Sequence, residues 1–205
     1  MKVLIVTGGI GSGKSTVCSI LGKDYGYPVY EADRRVKELY LEHPSLLTEI
    51  ELALGESFRN EEGIFQPARL AARIFSDKSE LIKVESLVFP ILTEDFFRWK
   101  EVNSDKDYVV LESATILEKP SLLGLGDYVL VVDAPLQMRI DRAVSRDAVS
   151  EEIVRKRVAN QTLMNDISAG HIPDTVDFVI KNDSDVDTLA ERLKAFVTMS
   201  DKIGL

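Results

Sequence analysis

Apolar positions along the chain change their period several times, and each change marks an element. Residues 2–6 carry the unbroken run Val3-Leu4-Ile5-Val6, the pattern of a strand buried on both faces. A glycine-rich turn follows. Val17, Ile20 and Leu21 then recur at helical spacing and predict a helix from about Ser15 to Lys23, with Gly22 and Gly26 punctuating its end. Pro28-Val29-Tyr30 reads as a short second strand. Asp33 is placed to cap a helix whose apolar positions are Val36, Leu39 and Tyr40.

From about 44 to 103 the pattern is helical and irregular. Leu46, Leu47 and Ile50 suit one helix; Leu70, Ala71, Ile74 and Phe75 a second; Leu81, Val84, Leu87 and Val88 a third. No strand pattern interrupts this block, which reads as a helical insertion. Strand patterns return at Tyr108-Val109-Val110-Leu111, at Tyr128–Asp133 and at Asp177-Phe178-Val179-Ile180. An amphipathic helix is predicted over about 136–145, and Ser150-Glu151-Glu152 opens another, with acids in its first turn. A last helix gathers Val186, Leu189, Ala190, Leu193, Phe196 and Val197 on one face. Strands alternating with helices predict an α/β fold with a mostly parallel sheet covered on both faces.

Composition narrows the function classes. With 205 residues the chain suits one domain carrying an insertion, large enough for a core without disulfides. The net charge of -9 argues against a general nucleic-acid binder. Cys18, the single cysteine, lies among apolar neighbours and reads as core. The N-terminal apolar run is too short for a signal peptide, and no stretch approaches the roughly 18 apolar residues of a membrane span. A cytoplasmic enzyme with no membrane or nucleic-acid partner is the expectation. Oligomeric state has no signature in the sequence.

The glycine-rich turn carries the clearest chemistry. Gly8, four residues, then Gly13-Lys14-Ser15 satisfy the phosphate-loop pattern G-x-x-x-x-G-K-[ST], with a buried strand before it and a helix after it. Glycines let the backbone turn its N–H groups toward phosphate oxygens, and the helix adds its positive end. Lys14 suits the β- and γ-phosphates, and the Ser15 hydroxyl suits Mg²⁺. Asp33, or its neighbour Glu31, offers a carboxylate for an attacking hydroxyl, although taken alone Asp33 reads better as a plain helix cap. Arg139, Arg142 and Arg146 form one basic segment, a candidate phosphate clamp, with a salt-bridged solvated helix as the ordinary alternative. Asp133 ends its apolar strand as a Walker B carboxylate would, and Glu112 and Glu118 stand near the other returning strand. His43 and His171 are isolated. Trp99 and Phe96-Phe97 read as packing inside the insertion.

Together these motifs resemble the dephospho-coenzyme A kinase family. Thr7-Gly8-Gly9-Ile10-Gly11-Ser12-Gly13-Lys14-Ser15-Thr16-Val17 matches the family's T-G-G-I-G-S-G-K-S-T-V without a change. Glu31-Ala32-Asp33 resembles its D-A-D, and Val132-Asp133-Ala134-Pro135 with Arg142 and Arg146-Asp147 resembles its V-D-x-P…R-x-x-x-R-D. Gln161 fits a further family glutamine, and Phe178-Val179-Ile180-Lys181-Asn182 resembles its V-I-x-N strand. The resemblance implies a P-loop kinase domain over 1–205: a core at about 1–35, 106–140 and 160–205, a helical acceptor-binding insertion at about 36–105, and an arginine-bearing lid at about 139–158.

The same resemblance implies transfer of the γ-phosphoryl of ATP to the ribose 3′-hydroxyl of dephospho-coenzyme A, with Mg²⁺. It assigns ATP to Gly9, Gly11, Ser12, Gly13, Lys14, Ser15, Thr16, Arg142, Arg146 and Asn182. Catalysis falls to Asp33, Lys14 and Arg142, Mg²⁺ to Ser15, and acceptor contacts to Thr7, Asp33, Phe89 and Glu118. Departures gather in the acceptor half. Leu87-Val88-Phe89-Pro90 stands where the family has a His-Pro pair, Ala114-Thr115-Ile116-Leu117-Glu118 replaces P-L-L-F-E, Gln66-Pro67 replaces an aspartate-arginine pair, and Glu31 replaces the first acid of D-A-D. Competing expectations are another P-loop kinase, for a small metabolite or nucleoside monophosphate, and a nucleotide-binding switch. Against the switch, Lys181-Asn182-Asp183 and Asp133-Ala134-Pro135 match neither N-K-x-D nor D-x-x-G.

Overall fold

The structure, a computed structural model, describes residues 1–203. The chain divides into two compact units. One comprises Met1–Tyr30 with the chain from Asn103 onward; the other is Glu31–Val102.

The first unit is built on a sheet. β1 (Lys2–Gly8), β2 (Val29–Glu31), β3 (Tyr108–Glu112), β4 (Tyr128–Asp133) and β5 (Phe178–Lys181) lie in the order β2-β3-β1-β4-β5. β1 pairs in parallel with β3, Lys2 against Tyr108, and with β4, Leu4 against Tyr128; β4 pairs in parallel with β5, Leu130 against Phe178. The apolar run of β1 is buried throughout because strands adjoin it on both sides and helices cover its faces. Its core joins Leu4, Val6, Val110, Leu130 and Val132 of the strands to helix α1 (Lys14–Tyr25) through Val17, Cys18 and Leu21, and to the C-terminal helix (Val186–Ile203) through Leu189, Leu193 and Val197. That last helix keeps its predicted stripe except Val186, which is exposed. α1 also runs past Gly22 and stops at Gly26, whose left-handed φ of 70° ends it.

The second unit is helical: α2 (Ala32–Glu42), α3 (Pro44–Leu54), α4 (Pro67–Ser76) and α5 (Lys78–Val102). Its core is Leu46, Ile50, Phe58, Leu70, Val84 and Val88. α5 continues through Pro90, presenting Val84, Val88, Leu92 and Phe96 four residues apart on one buried stripe. Two expectations are corrected here. Asp33 does not cap α2: the helix starts directly from β2, so Glu31 is its N-cap and Asp33 sits in the first turn. Phe75 does not join the buried face of α4, which is short and buries Leu70 alone, leaving Phe75 exposed.

Returning to the first unit, a short 3-10 turn (Ile116–Glu118) and α6 (Pro120–Leu123) separate β3 from β4. After β4 come α7 (Leu136–Asp147), α8 (Glu151–Ala159) and α9 (Thr162–Ser168), with the C-terminal helix as α10. Ile140 and Ala143 of α7 pack on Val154 and Val158 of α8, and the half-buried side chain of Ile10 joins them.

Candidate active site

The phosphate loop leaves β1 at Gly8 and enters α1 at Lys14. Gly11 and Gly13 hold left-handed φ angles of 72° and 98°. A Cβ at Gly11 would land on the Arg139 carbonyl, and one at Gly13 on the Asn182 side-chain amide, so both positions exclude a side chain by space as well as by backbone angle. Ser12 N–H donates to the Gly9 carbonyl at 3.1 Å, curling the loop back on itself. Thr16 and Val17 both donate to the Gly13 carbonyl, so the amides ahead of them open outward at the helix end, where anions are favoured. Lys14 Nζ lies over this curl, donating to the Gly8 and Gly9 carbonyls at 2.9 and 3.3 Å. Ser15, in the first turn of α1, is exposed.

Two side chains brace the loop from β5 and α7. Asn182, just past β5, donates its amide to the Ser12 carbonyl at 2.8 Å and its backbone N–H to the Asp133 carbonyl at 2.7 Å. Arg142 of α7 reaches the Asn182 carbonyl and Oδ1 at 3.4 and 3.5 Å. Arg142, Asn182 and Ser12 therefore form one hydrogen-bonded series from the basic helix to the loop. Ser12 Oγ is buried with no partner among the described residues. A buried hydroxyl left so is costly to the fold.

A family model for dephospho-CoA kinase matches residues 2–188. The chain belongs to the dephospho-CoA kinase family. A dephospho-CoA kinase of Porphyromonas gingivalis is 39% identical over 161 residues, 78% of each chain. A solved structure from Thermus thermophilus superposes with a TM-score of 0.78 at 27% identity, covering 97% of both chains. The dephospho-CoA kinase from Campylobacter jejuni shares the fold, with a TM-score of 0.66 at 20% identity over 99% and 98% of the two chains. Members of this kinase family use ATP.

The remaining sequence-derived positions are distributed unevenly. Gly9, Gly11, Ser12, Gly13, Lys14, Ser15 and Thr16 form the loop and helix start, and Arg142 and Asn182 are beside them. Arg146 is turned away: it is exposed and donates to Asp147 at 2.7 Å, an ion pair that raises its guanidinium above its ordinary value. Asp147 also accepts from Arg157 at 3.0 Å. Asp133 accepts from Ser168 Oγ and Lys181 Nζ, both at 2.6 Å, and so ties β4 to α9 and β5. Thr7 is wholly buried inside β1, its hydroxyl without a hydrogen-bond partner among the described residues. Phe89 packs half-buried against the core of the helical unit, and Glu118 is exposed at the end of its 3-10 turn. Asp33 is exposed in the first turn of α2.

Sequence reasoning missed the part played by Arg139. It was grouped with the clamp arginines, yet it is buried at 2% exposure and bonds to the carbonyl of Ile10 and to Gln161. Helical spacing does not separate the two: Arg146 stands seven residues from Arg139, two turns along the same side of α7, yet Arg139 is buried with Ile140 and Ala143 while Arg146, at the helix end, is exposed. Gln161 carries no periodicity of its own; the family resemblance marks it, and its bonds to Ile10 and Arg139 show what it holds.

Proposed function

We propose that this chain transfers the γ-phosphoryl group of ATP to the ribose 3′-hydroxyl of dephospho-coenzyme A, giving coenzyme A and ADP. The observation that carries the reading is the curled loop ahead of Lys14, in a chain matched to the family over residues 2–188. In the step, the bond from the γ-phosphorus to the ADP oxygen breaks and a bond to the 3′-oxygen forms. The hydroxyl proton passes to the Asp33 carboxylate, and ADP departs with the bridging oxygen.

Little covalent chemistry falls to the protein in such a transfer, so most of its contribution is charge and position. Lys14 exchanges its hold on the Gly8 and Gly9 carbonyls for the β- and γ-phosphates. The loop amides surround the phosphate oxygens. Arg142, next to Asn182, offsets charge on the donor, and Asn182 borders the adenine. Arg146 belongs to the lid over 139–158 and reaches the donor by leaving Asp147. Glu118 and the helical insertion contact the acceptor.

Among the described residues no group of three or more His, Cys, Asp or Glu is placed to hold a metal ion. That fits Mg²⁺ carried mainly by substrate phosphates, with the exposed Ser15 hydroxyl as a protein ligand. The ion would neutralise phosphate charge as the transfer proceeds. No described helix is long and apolar enough to cross a membrane, and we place the enzyme in the cytoplasm.

The test is ATP consumption by the purified protein with Mg²⁺, with and without dephospho-coenzyme A, reading coenzyme A by mass. ADP release that depends on the acceptor and matches coenzyme A formation is expected. Consumption indifferent to dephospho-coenzyme A, or faster with a nucleoside monophosphate in competition, would overturn the reading.

A further inference from the structure

The tip of the phosphate loop is held from several directions at once. Ile10 donates its N–H to Gln161 Oε1 at 2.9 Å and accepts at its carbonyl from Arg139 Nε at 3.1 Å. Arg139 Nη2 also donates to Gln161 Oε1 at 3.2 Å, which closes a ring of three residues. The Ile10 side chain is anchored in the α7–α8 cluster. The loop is moulded directly onto the arginine: a Cβ on Gly9 would strike its guanidinium, and one on Gly11 its backbone.

Arg139 is the largest fully buried side chain among the described residues. Its hydrogen bonds go to a carbonyl and an amide oxygen, neither of which carries charge. Burial pushes the guanidinium below its ordinary value, and the nearby Asp133 carboxylate opposes this. Asp133 is itself already paired with Lys181. A buried cation so weakly neutralised is expensive for the fold unless something compensates it. It lies behind a loop whose other side is shaped for anions.

We infer that Arg139, oriented by Gln161, is a positioning residue for the phosphoryl donor, fixing the loop tip and lending positive charge to the phosphates from behind. It does not touch the nucleotide. It acts through the Ile10 carbonyl and through the field that the loop amides share. This rests on the loop being the site of the ATP phosphates, and not on the identity of the acceptor.

The experiment is calorimetric titration of the full chain with ATP and with AMP, in the absence of acceptor, for the wild type, Arg139→Met, Arg139→Lys and Gln161→Ala. Arg139→Met is expected to weaken ATP by about 10- to 100-fold, the scale of one hydrogen-bonded charge, and AMP far less. Arg139→Lys, which keeps the charge without the fork, is expected to recover part of that loss, and Gln161→Ala to lose less than Arg139→Met. A residue that only supports the fold would lower the melting temperature and weaken ATP and AMP alike. That result, or unchanged ATP affinity in the variants that fold, overturns the inference. If Arg139→Met does not fold, Arg139→Lys and Gln161→Ala carry the decision by the same ratio of ATP to AMP. Absence of acceptor-dependent turnover in the wild type would count against the proposed reaction and leave this result standing.

Discussion

The phosphate loop and the helical unit are built from different materials. Around the loop, shape is imposed by backbone angles and by buried polar side chains: Asn182 on the Ser12 carbonyl, Arg139 on the Ile10 carbonyl, and two glycines with no room for a Cβ. In the helical unit, an apolar core of ordinary size is ringed by ion pairs at its surface. Arg35 of α2 holds Asp95 of α5 at 2.7 Å and also Glu42, and Arg73 pairs with Glu80. Asp95 and then Glu42 hold the Arg35 guanidinium well above its ordinary value. The exposed pair of Arg35 with Glu42 is of the kind that contributes about 0–1 kcal/mol, whereas Asp95 and Glu80 are only 13% and 12% exposed. A polyphosphate presents the same oxygens to every enzyme, and a backbone can be shaped once for it. In the proposed reading the acceptor is met by side chains on helices, which can change without disturbing the sheet.

The contrast can be broken at several points. Lys14→Ala is expected to lower turnover by at least about 100-fold and to weaken ATP, with the melting temperature little changed. Asp33→Ala is expected to lower turnover by at least about 100-fold while ATP affinity, titrated directly, stays as in the wild type. Near-normal turnover of that variant would return Asp33 to the status of an ordinary first-turn acid. Gly11→Ala combines a left-handed angle with a collision on the Arg139 carbonyl. We expect roughly 1–3 kcal/mol of lost stability and a higher KM for ATP. An unchanged KM would show that the loop is less rigidly specified than its packing suggests.

The smallest effect belongs to the helical unit. Burial pulls the Glu51 carboxyl upward, but hydrogen bonds from Phe58 N–H, Ser57 Oγ and Arg59 outweigh it and hold the group below its ordinary value of 4.5. A carboxylate depressed on folding stabilises above its unfolded value and loses that contribution as pH falls through the folded one. Glu51→Gln is therefore expected to cost about 1 kcal/mol near neutral pH in chemical denaturation. The two proteins should converge as the pH drops below 4.5. A constant difference across that range would assign the loss to packing instead.

How much of this was legible beforehand followed the same divide. The loop was readable because its chemistry is local: strand, glycines, lysine and helix are consecutive, and hard sterics leave few alternatives. The sheet was readable because its strands are continuous apolar runs. The clamp on Ile10 was not, because it joins residues 129 and 151 positions apart, and sequence spacing is silent on such contacts. Arg139 also broke the usual assumption that a charged residue faces water. In the helical unit the faces of α3 and α5 were read correctly, whereas the single buried residue of α4 and the start of α2 depended on neighbours that periodicity does not show.

Cys18, buried in α1 one turn beyond Lys14, gives the molecule its own clock. As the sole thiol it can be modified at a single place, and only when the packing behind the loop momentarily gives way. The rate at which a thiol reagent captures it measures how often that happens, without any label or added probe. Nucleotide held at the start of the same helix should slow the clock, turning occupancy at the front of the loop into a reading taken from behind it.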